Sequence, residues 1–263
     1  MRLFGNGKGN VAMLKELFAR LRQGYRTMPY PKGEAVLPDR FRGKPELAEA
    51  ASEAAFREAA AACPTGAVAG EAGRPTLDMG RCLFCPECAA AGLVRFTREH
   101  RLSAWSRQDL ILRTPQPAPA AAPADGRLRL FRKSLKLRQV SAGGCNGCEA
   151  DVNVLSTIVY DLGRFGIQIV ASPRHADGLL ITGPVTENMK LALEKTYLAV
   201  PPPRVVIAVG ACAIAGGPYI DHPEVHNGAA GIVPVDLFIP GCPPHPLTIL
   251  DGLLHLTGQN KLD

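Results

Sequence analysis

The sequence predicts two units in series: an α/β, doubly wound parallel sheet in the C-terminal half and a small cysteine-bearing α+β unit ahead of it. Three observations carry this expectation. Short, wholly apolar runs alternate with helical patterns after residue 134, as expected of strands buried on both faces. A proline-alanine stretch, TPQPAPAAAPADG at 114–126, cannot build a core and reads as a semi-rigid spacer. Eight cysteines fall in two groups of four, one on each side of that spacer.

The 263-residue chain is long enough for a large domain or two smaller ones. It is 46% hydrophobic and 21% charged, a globular composition. No stretch approaches about 18 unbroken apolar residues, so no bilayer span is expected. The opening MRLFGNGKGN lacks the apolar core of a signal peptide, which leads us to expect a cytoplasmic protein. Disulfides are then not the reason for eight cysteines.

Charge changes sign along the chain. Residues 1–133 hold 22 basic and 13 acidic side chains, whereas residues 134–263 hold 8 and 11. The basic residues are scattered and no aromatic stacking motif accompanies them, so nucleic acid is not an expected partner. Anionic lipid or an acidic subunit fits the positive half better.

From the N-terminus, Leu14, Leu17, Phe18 and Leu21 follow helical spacing and predict an amphipathic helix over 11–23. It would either pack on its own domain or dock on a membrane subunit or membrane surface. Residues 25–48 are rich in Pro, Gly and charge and read as an irregular arm, which makes 1–48 one segment. Residues 49–112 form the compact cysteine-bearing unit, and 113–133 the linker. In the last segment, 134–263, strands are expected at Leu135–Val140, Ile167–Ala171, Leu179–Thr182, Val205–Val209 and Val233–Ile239, with helices at Val152–Tyr160 and Glu187–Leu198.

The first cysteine group reads CLFCPEC at 82–88 and CPTGAV at 63–68. Both are pieces of the bacterial ferredoxin run C-x2-C-x2-C-x3-C-P, whose fourth cysteine serves the other cluster. In that register the companions of Cys63 would be residues 53, 56 and 59, which are Glu53, Phe56 and Ala59, and the fourth partner of the second run would be residue 92, which is Gly92. One complete site is gone. The other keeps Cys82, Cys85, Cys88 and Cys63. Four thiolates suit a [4Fe–4S] cluster. A structural zinc site is the competing reading, although zinc favours paired CxxC knuckles.

The second group reads GGCNGCE (143–149), GAC (210–212) and PGCPP (240–244). Each cysteine falls just beyond a predicted strand, where ligands sit in doubly wound folds. Glycines let backbone approach a bulky group, and the prolines stiffen the last loop. Spacing alone leaves open an iron–sulfur cluster, a zinc site or, for the CxxC, a redox pair.

CNGCE, GLLITGPVTENM, VVIAVGACAIAGGPY and VPVDLFIPGCPPHP resemble the small subunit of membrane-bound, energy-converting [NiFe] hydrogenases, a family related to the cluster subunit of respiratory complex I. The resemblance spans about residues 134–258. It implies a flavodoxin-like sheet and one proximal [4Fe–4S] cluster on Cys145, Cys148, Cys212 and Cys242, and the ferredoxin run implies a ferredoxin-like unit before it. The complex I relatives carry adjacent cysteines where this chain has CNGC, which favours the hydrogenase side. FRGKPE, CPTGAV, CLFC and LSAWSRQDL resemble the polyferredoxin subunit of formate hydrogenlyase, here fused to the small subunit. The resemblance thus implies two [4Fe–4S] clusters, with the outer one of the ferredoxin unit lost.

These assignments use all eight cysteines and leave no thiolates for nickel, so no complete active site is expected. The implied role is electron relay in an oxidoreductase complex. The implied partners are a [NiFe]-hydrogenase-like large subunit, membrane subunits of a complex-I-like arm and an external electron donor or acceptor protein. The implied location is the inner face of the membrane, held through partner subunits. A complex-I-like quinone or ion-pumping assembly without nickel and a zinc-stabilised scaffold are the alternatives. Glu149 reads as a helix-terminal acid or a proton carrier, and His222, His226 and His245 as loop residues or as a fifth ligand.

Overall fold

The computed structural model describes residues 7–48, 51–71, 73–114, 118, 121 and 126–259, with the side chains of 7–13 excepted. Most of the proline-alanine spacer lies outside them.

The C-terminal sheet has five parallel strands: β6 (Leu135–Ser141), β7 (Ile167–Ile169), β8 (Gly178–Thr182), β9 (Val205–Val209) and β10 (Leu237–Ile239). Their order is β10-β9-β8-β6-β7, the doubly wound flavodoxin-like arrangement in which winding reverses between β6 and β8. Period-two alternation splits the side chains between two cores. Leu179, Ile181, Val206 and Ala208 face one core, and Leu180, Val205, Ile207 and Val209 face the other. Each such burial is worth about 1.5–3 kcal/mol. Four helices complete the unit: α4 (Gly147–Val154), α5 (Glu187–Ala199), α6 (Gly210–Ala215) and α7 (Pro246–Thr257).

The structure shifts two sequence expectations here. The helix expected at Val152–Tyr160 instead runs Gly147–Val154, because Asn146 adopts a left-handed φ of 70° and starts it at the cysteine loop. The strand expected at Val233–Ile239 is confined to Leu237–Ile239, since Val233 already bonds back to Ala229 in a turn.

Ahead of this sheet lie two small antiparallel sheets and two helices. β1 (Pro45–Leu47) pairs with β4 (Val94–Phe96), and β3 (Arg74–Asp78) lies between β2 (Val68–Glu71) and β5 (Ile111–Arg113). Helix α2 (Glu53–Ala62), capped by Ser52, and the short α3 (Glu87–Ala90) pack on them. The stretch 25–48 is irregular apart from β1. The positions that the ferredoxin register assigned to a missing site form helix: Glu53, Phe56 and Ala59 belong to α2, with Ala59 fully buried and Phe56 packed on the core.

The two halves share a core. Ala59, Leu77, Leu93 and Leu110 of the first belong to the same apolar cluster as Val140, Leu179, Val206 and Phe238 of the second. Ala104 and Phe238 exchange two backbone hydrogen bonds of 2.9 Å, which adds a residue of the first half to the edge of the parallel sheet. Residues 127–133, read as linker, are likewise docked: Phe131 is buried, and Arg127 pairs with Asp236 and donates to the Arg204 carbonyl (3.1 Å).

Tyr30 helps to hold the arm down. Tyr30 OH donates to Asp251 on α7 (2.7 Å) and lies 3.0 Å from His100 Nε2. Burial raises the Asp251 carboxyl and lowers the His100 imidazole. Helix α1 (Gly7–Gln23) is formed, yet Leu14, Leu17, Phe18 and Leu21 are all exposed, so its apolar stripe does not pack on this chain. No helix among the described residues is long and apolar enough to cross a membrane.

Candidate metal centres

All four cysteines of the first group line one small cavity with Leu77, Val94 and Phe96. The cavity is nearly closed by these side chains, with a volume of about 10 Å³. Cys63 caps the end of α2, Cys82 and Cys85 lie on the loop after β3, and Cys88 sits on α3. A polar frame fixes that loop. Arg107 Nη1 donates to Asp78 Oδ1 (2.7 Å), the same oxygen accepts the Gly80 N–H (2.9 Å), and the Cys82 N–H bonds the Asp78 carbonyl (3.0 Å). Thr65 Oγ1 donates to the Arg81 carbonyl (2.8 Å) and ties the CP turn to it.

Backbone donors already point at sulfur. The Ala67 N–H lies 3.2 Å from Cys63 Sγ, and the Phe84 N–H 3.3 Å from Cys82 Sγ. Burial alone would raise the Cys63 thiol, but N–H donors around it outweigh burial and draw it below its ordinary value. Burial pushes Cys82 up to about 12 and Cys88 up to about 11, with the neighbouring cysteines adding to both. Such thiols ionise only when something compensates the charge, which bound metal does.

The second group gathers at the carboxyl edge of the parallel sheet. Cys145 and Cys148 follow β6, Cys212 stands on α6 directly after β9, and Cys242 follows β10. Cys148 and Cys212 are buried, Cys242 is half-buried and Cys145 is exposed. Burial raises Cys148, then the charges of Cys212, Glu149, Cys242 and Cys145 raise it further. Cys212 is pushed up to about 12 by burial and then by Cys242 and Cys145. The four thiols thus gather at one edge, near enough for their charges to act on one another.

Two glycines make that convergence possible. A Cβ on Gly210 would lie 2.5 Å from Cys148 Sγ, and one on Gly217 2.6 Å from Cys212 Sγ. Both have left-handed φ, +89° and +56°.

Glu149 clasps the two strands where winding reverses. Its Oε1 accepts from Ser141 Oγ on β6 and Thr182 Oγ1 on β8, both at 2.6 Å. Burial would raise this carboxyl, but the two hydroxyls outweigh it and hold it below its ordinary value. His226 pairs with Glu187 Oε2 (2.5 Å), and His222 accepts from the Glu224 N–H (3.2 Å). His245 caps α7 by accepting from the Leu247 N–H (3.2 Å).

The two groups adjoin. Leu83 and Phe84, between cysteines of the first, and Cys242, Pro243 and Pro244 of the second line the same cleft of about 300 Å³. A Cβ on Gly80, two residues before Cys82, would lie 2.8 Å from Ile214, two residues after Cys212. Arg42, which the sequence did not single out, donates from Nε to the Phe84 carbonyl at 2.5 Å. Its only sequence signal is its place in FRGKPE.

The donor chemistry fits an iron–sulfur cluster: both groups supply four thiols, and the first adds backbone N–H donors and an apolar wall. Among the described residues no three His, Cys, Asp or Glu side chains are gathered tightly enough to hold one metal ion.

Residues 145–256 match the family described as "NADH ubiquinone oxidoreductase, 20 Kd subunit". Among curated proteins, the chain is 44% identical over 115 residues to "Probable membrane-bound hydrogenase subunit mbhJ" of Pyrococcus furiosus, covering 44% of this chain and 69% of that one. It is 40% identical over 146 residues to "Formate hydrogenlyase subunit 7" of Escherichia coli, covering 52% and 57%. It is 39% identical over 117 residues to an NADH-quinone oxidoreductase subunit of Bacteroides thetaiotaomicron, covering 44% and 59%. The chain therefore spans less than two thirds of these last two relatives. A solved chain from the "membrane-bound sulfane sulfur reductase (MBS), an archaeal respiratory membrane complex" is 37% identical with a TM-score of 0.44, covering 50% of this chain and 75% of that one. All of the family match lies in the parallel-sheet half, where Cys145, Cys148, Cys212 and Cys242 converge. Through that half, the chain belongs to the NADH ubiquinone oxidoreductase 20 kDa subunit family.

Proposed function

We propose that the chain is an electron-transfer subunit of a membrane-bound, hydrogenase-like oxidoreductase complex, relaying electrons through two [4Fe–4S] clusters to or from a [NiFe] large subunit. Cys63, Cys82, Cys85 and Cys88 would hold one cluster, and Cys145, Cys148, Cys212 and Cys242 the second, proximal one. The observation that carries the reading is the sorting of all eight cysteines into two sets of four, joined by a cleft that Leu83 and Phe84 of the first loop and Cys242 of the second line together. When bound, such a cluster takes up and returns single electrons.

The chain's residues do the rest. Leu77, Val94 and Phe96 keep water from the first set. The N–H groups of Ala67 and Phe84 stabilise negative sulfur, which raises a cluster's potential. Gly210 and Gly217 leave room for sulfur at the second set. The external donor or acceptor would meet the ferredoxin unit, and the large subunit the carboxyl edge of the parallel sheet. Membrane partners would hold the complex at the inner face.

The relatives named for NADH-quinone oxidoreductase support a second reading, a complex-I-like assembly without nickel. The CNGC spacing, where a complex I resemblance would imply adjacent cysteines, favours the first. A zinc scaffold is less well supported, because neither set is gathered as tightly as one zinc ion with bonds of about 2.3 Å requires.

The test is anaerobic purification, metal and sulfide analysis, and EPR after dithionite reduction. Two clusters give about eight iron and eight sulfide per chain. About four iron would leave one set as scaffold, and zinc without iron would overturn the proposal.

A further inference from the structure

We infer that this chain touches the membrane directly, through a basic cleft beside the root of α1 that binds anionic phospholipid headgroups. The cleft, about 850 Å³, is bordered by Arg129, Arg132, Lys133 and Arg164, with Phe165 in its wall and no carboxylate among its lining residues. Arg129, Arg132 and Lys133 are exposed, and none forms an ion pair among the described residues. Arg164 stacks over the Phe165 ring at 4.6 Å and donates to the Tyr30 carbonyl (2.9 Å), so its cation is fixed at the rim. Asp161 is the acid near Gly163 on that rim.

A soluble anion would need only the cations. This surface adds exposed apolar side chains beside them: Leu130 between Arg129 and Arg132 is 67% exposed, and Ile158 on the neighbouring loop 65%. Cations interleaved with exposed aliphatic groups are what an anionic bilayer surface selects. The helix supplies the same pattern. Leu14, Leu17, Phe18 and Leu21 form an exposed stripe flanked by Lys15, Arg20 and Arg22, against Glu16 as the acid. Its chain then returns to the cleft's rim: the Met28 N–H donates to the Val159 carbonyl (2.8 Å), and, two residues on, the Tyr30 carbonyl accepts from Arg164. Five residues separate Gln23 from Met28, so the helix end lies within about 18 Å of that loop. The surface is distinct from both cysteine sets, and the inference does not rest on their metal content.

The experiment is flotation of the purified full-length chain with phosphatidylcholine vesicles and with vesicles of equal parts phosphatidylcholine and phosphatidylglycerol. Binding is expected only to the anionic vesicles, and to fall in high salt. Each cation near such a surface contributes a factor of roughly five, so Arg129→Gln, Arg132→Gln and Lys133→Gln together should weaken binding about a hundredfold. Lysine in place of both arginines should retain it. Phe18→Glu with Leu21→Glu should weaken it separately while leaving the folded core intact. Equal binding to both vesicle types, binding to neither, or unaltered binding by the glutamine variant overturns the inference and leaves the face to an acidic protein. Iron analysis of the same samples reports on the clusters independently.

Discussion

Replacing Gly210 with alanine should empty the second cysteine set and spare the first. The new Cβ would lie 2.5 Å from Cys148 Sγ. Ordinary contact is about 3.5 Å or more, so the thiol must retreat by about 1 Å. Metal–ligand distances tolerate about 0.2 Å, so the displaced sulfur can no longer complete a four-thiolate set. The left-handed φ of +89° at this position adds about 1–2 kcal/mol of backbone strain, and the overlap about 1–3 kcal/mol more. That is a fraction of ordinary domain stability, so the variant should fold. Gly92 is the matched control: its φ is +77°, but nothing lies within 4 Å of its Cβ position, so alanine there meets the strain without the collision. The assay is iron and sulfide per chain with EPR of the reduced protein. Gly210→Ala is expected to drop from about eight to about four iron and to lose one of two signals, while Gly92→Ala keeps both. Full iron and unchanged spectra in Gly210→Ala would refute the reasoning. Equal iron loss in both variants would assign the effect to backbone strain instead of contact.

Three further outcomes follow from the same contacts. In metal-free protein at mildly alkaline pH, alkylation should reach Cys63 before Cys82 and Cys88. Donors draw the first thiol down, whereas burial pushes the other two up to about 12 and about 11; mass spectrometry of timed samples reads the order, and Cys82 reacting first would contradict it. Tyr30→Phe removes the hydroxyl that serves buried Asp251 and should cost about 1–3 kcal/mol, read as a lower melting temperature at unchanged iron content. Burial lowers the folded-state pKa of His100 and His255 below 6.5, so their contribution is present above that value and lost as pH falls through the folded pKa values. Thermal stability should therefore decline on acidification below about pH 6.5, and His255→Gln should flatten the decline.

Most of the parallel-sheet half was legible because its signals are local. Val205–Val209 is an unbroken apolar run, which only a strand covered on both faces tolerates, and it is β9 residue for residue. Cysteine after glycine at three strand ends marked the carboxyl edge in advance. The flavodoxin-like strand order then followed from right-handed crossovers. Less legible was whatever depends on partners distant in sequence. Pro45–Leu47 has no strand signature of its own and becomes β1 because Val94–Phe96 supplies its hydrogen bonds. Residues 127–133 looked like linker, yet Phe131 and the Arg127–Asp236 pair dock them on the sheet. Neither the Glu149 clasp nor the Arg42 contact with the Phe84 carbonyl had a pattern to betray it, since each joins elements that meet only after folding. The apolar stripe of α1 was visible as periodicity, but periodicity is silent on what the stripe faces.

The backbone exchange between Ala104 and Phe238 has a kinetic consequence for a relay. Two redox stations on separately tethered bodies must wait for a diffusive encounter, and their throughput slows in viscous solvent. Here a residue of the first unit is stitched into the sheet edge of the second, and both units contribute to one core. For the proposed relay, transfer between two stations mounted on this common frame would need no docking event. Its rate would be indifferent to glycerol and to the length of the proline-alanine segment, and would respond instead to the side chains between Phe84 and Cys242.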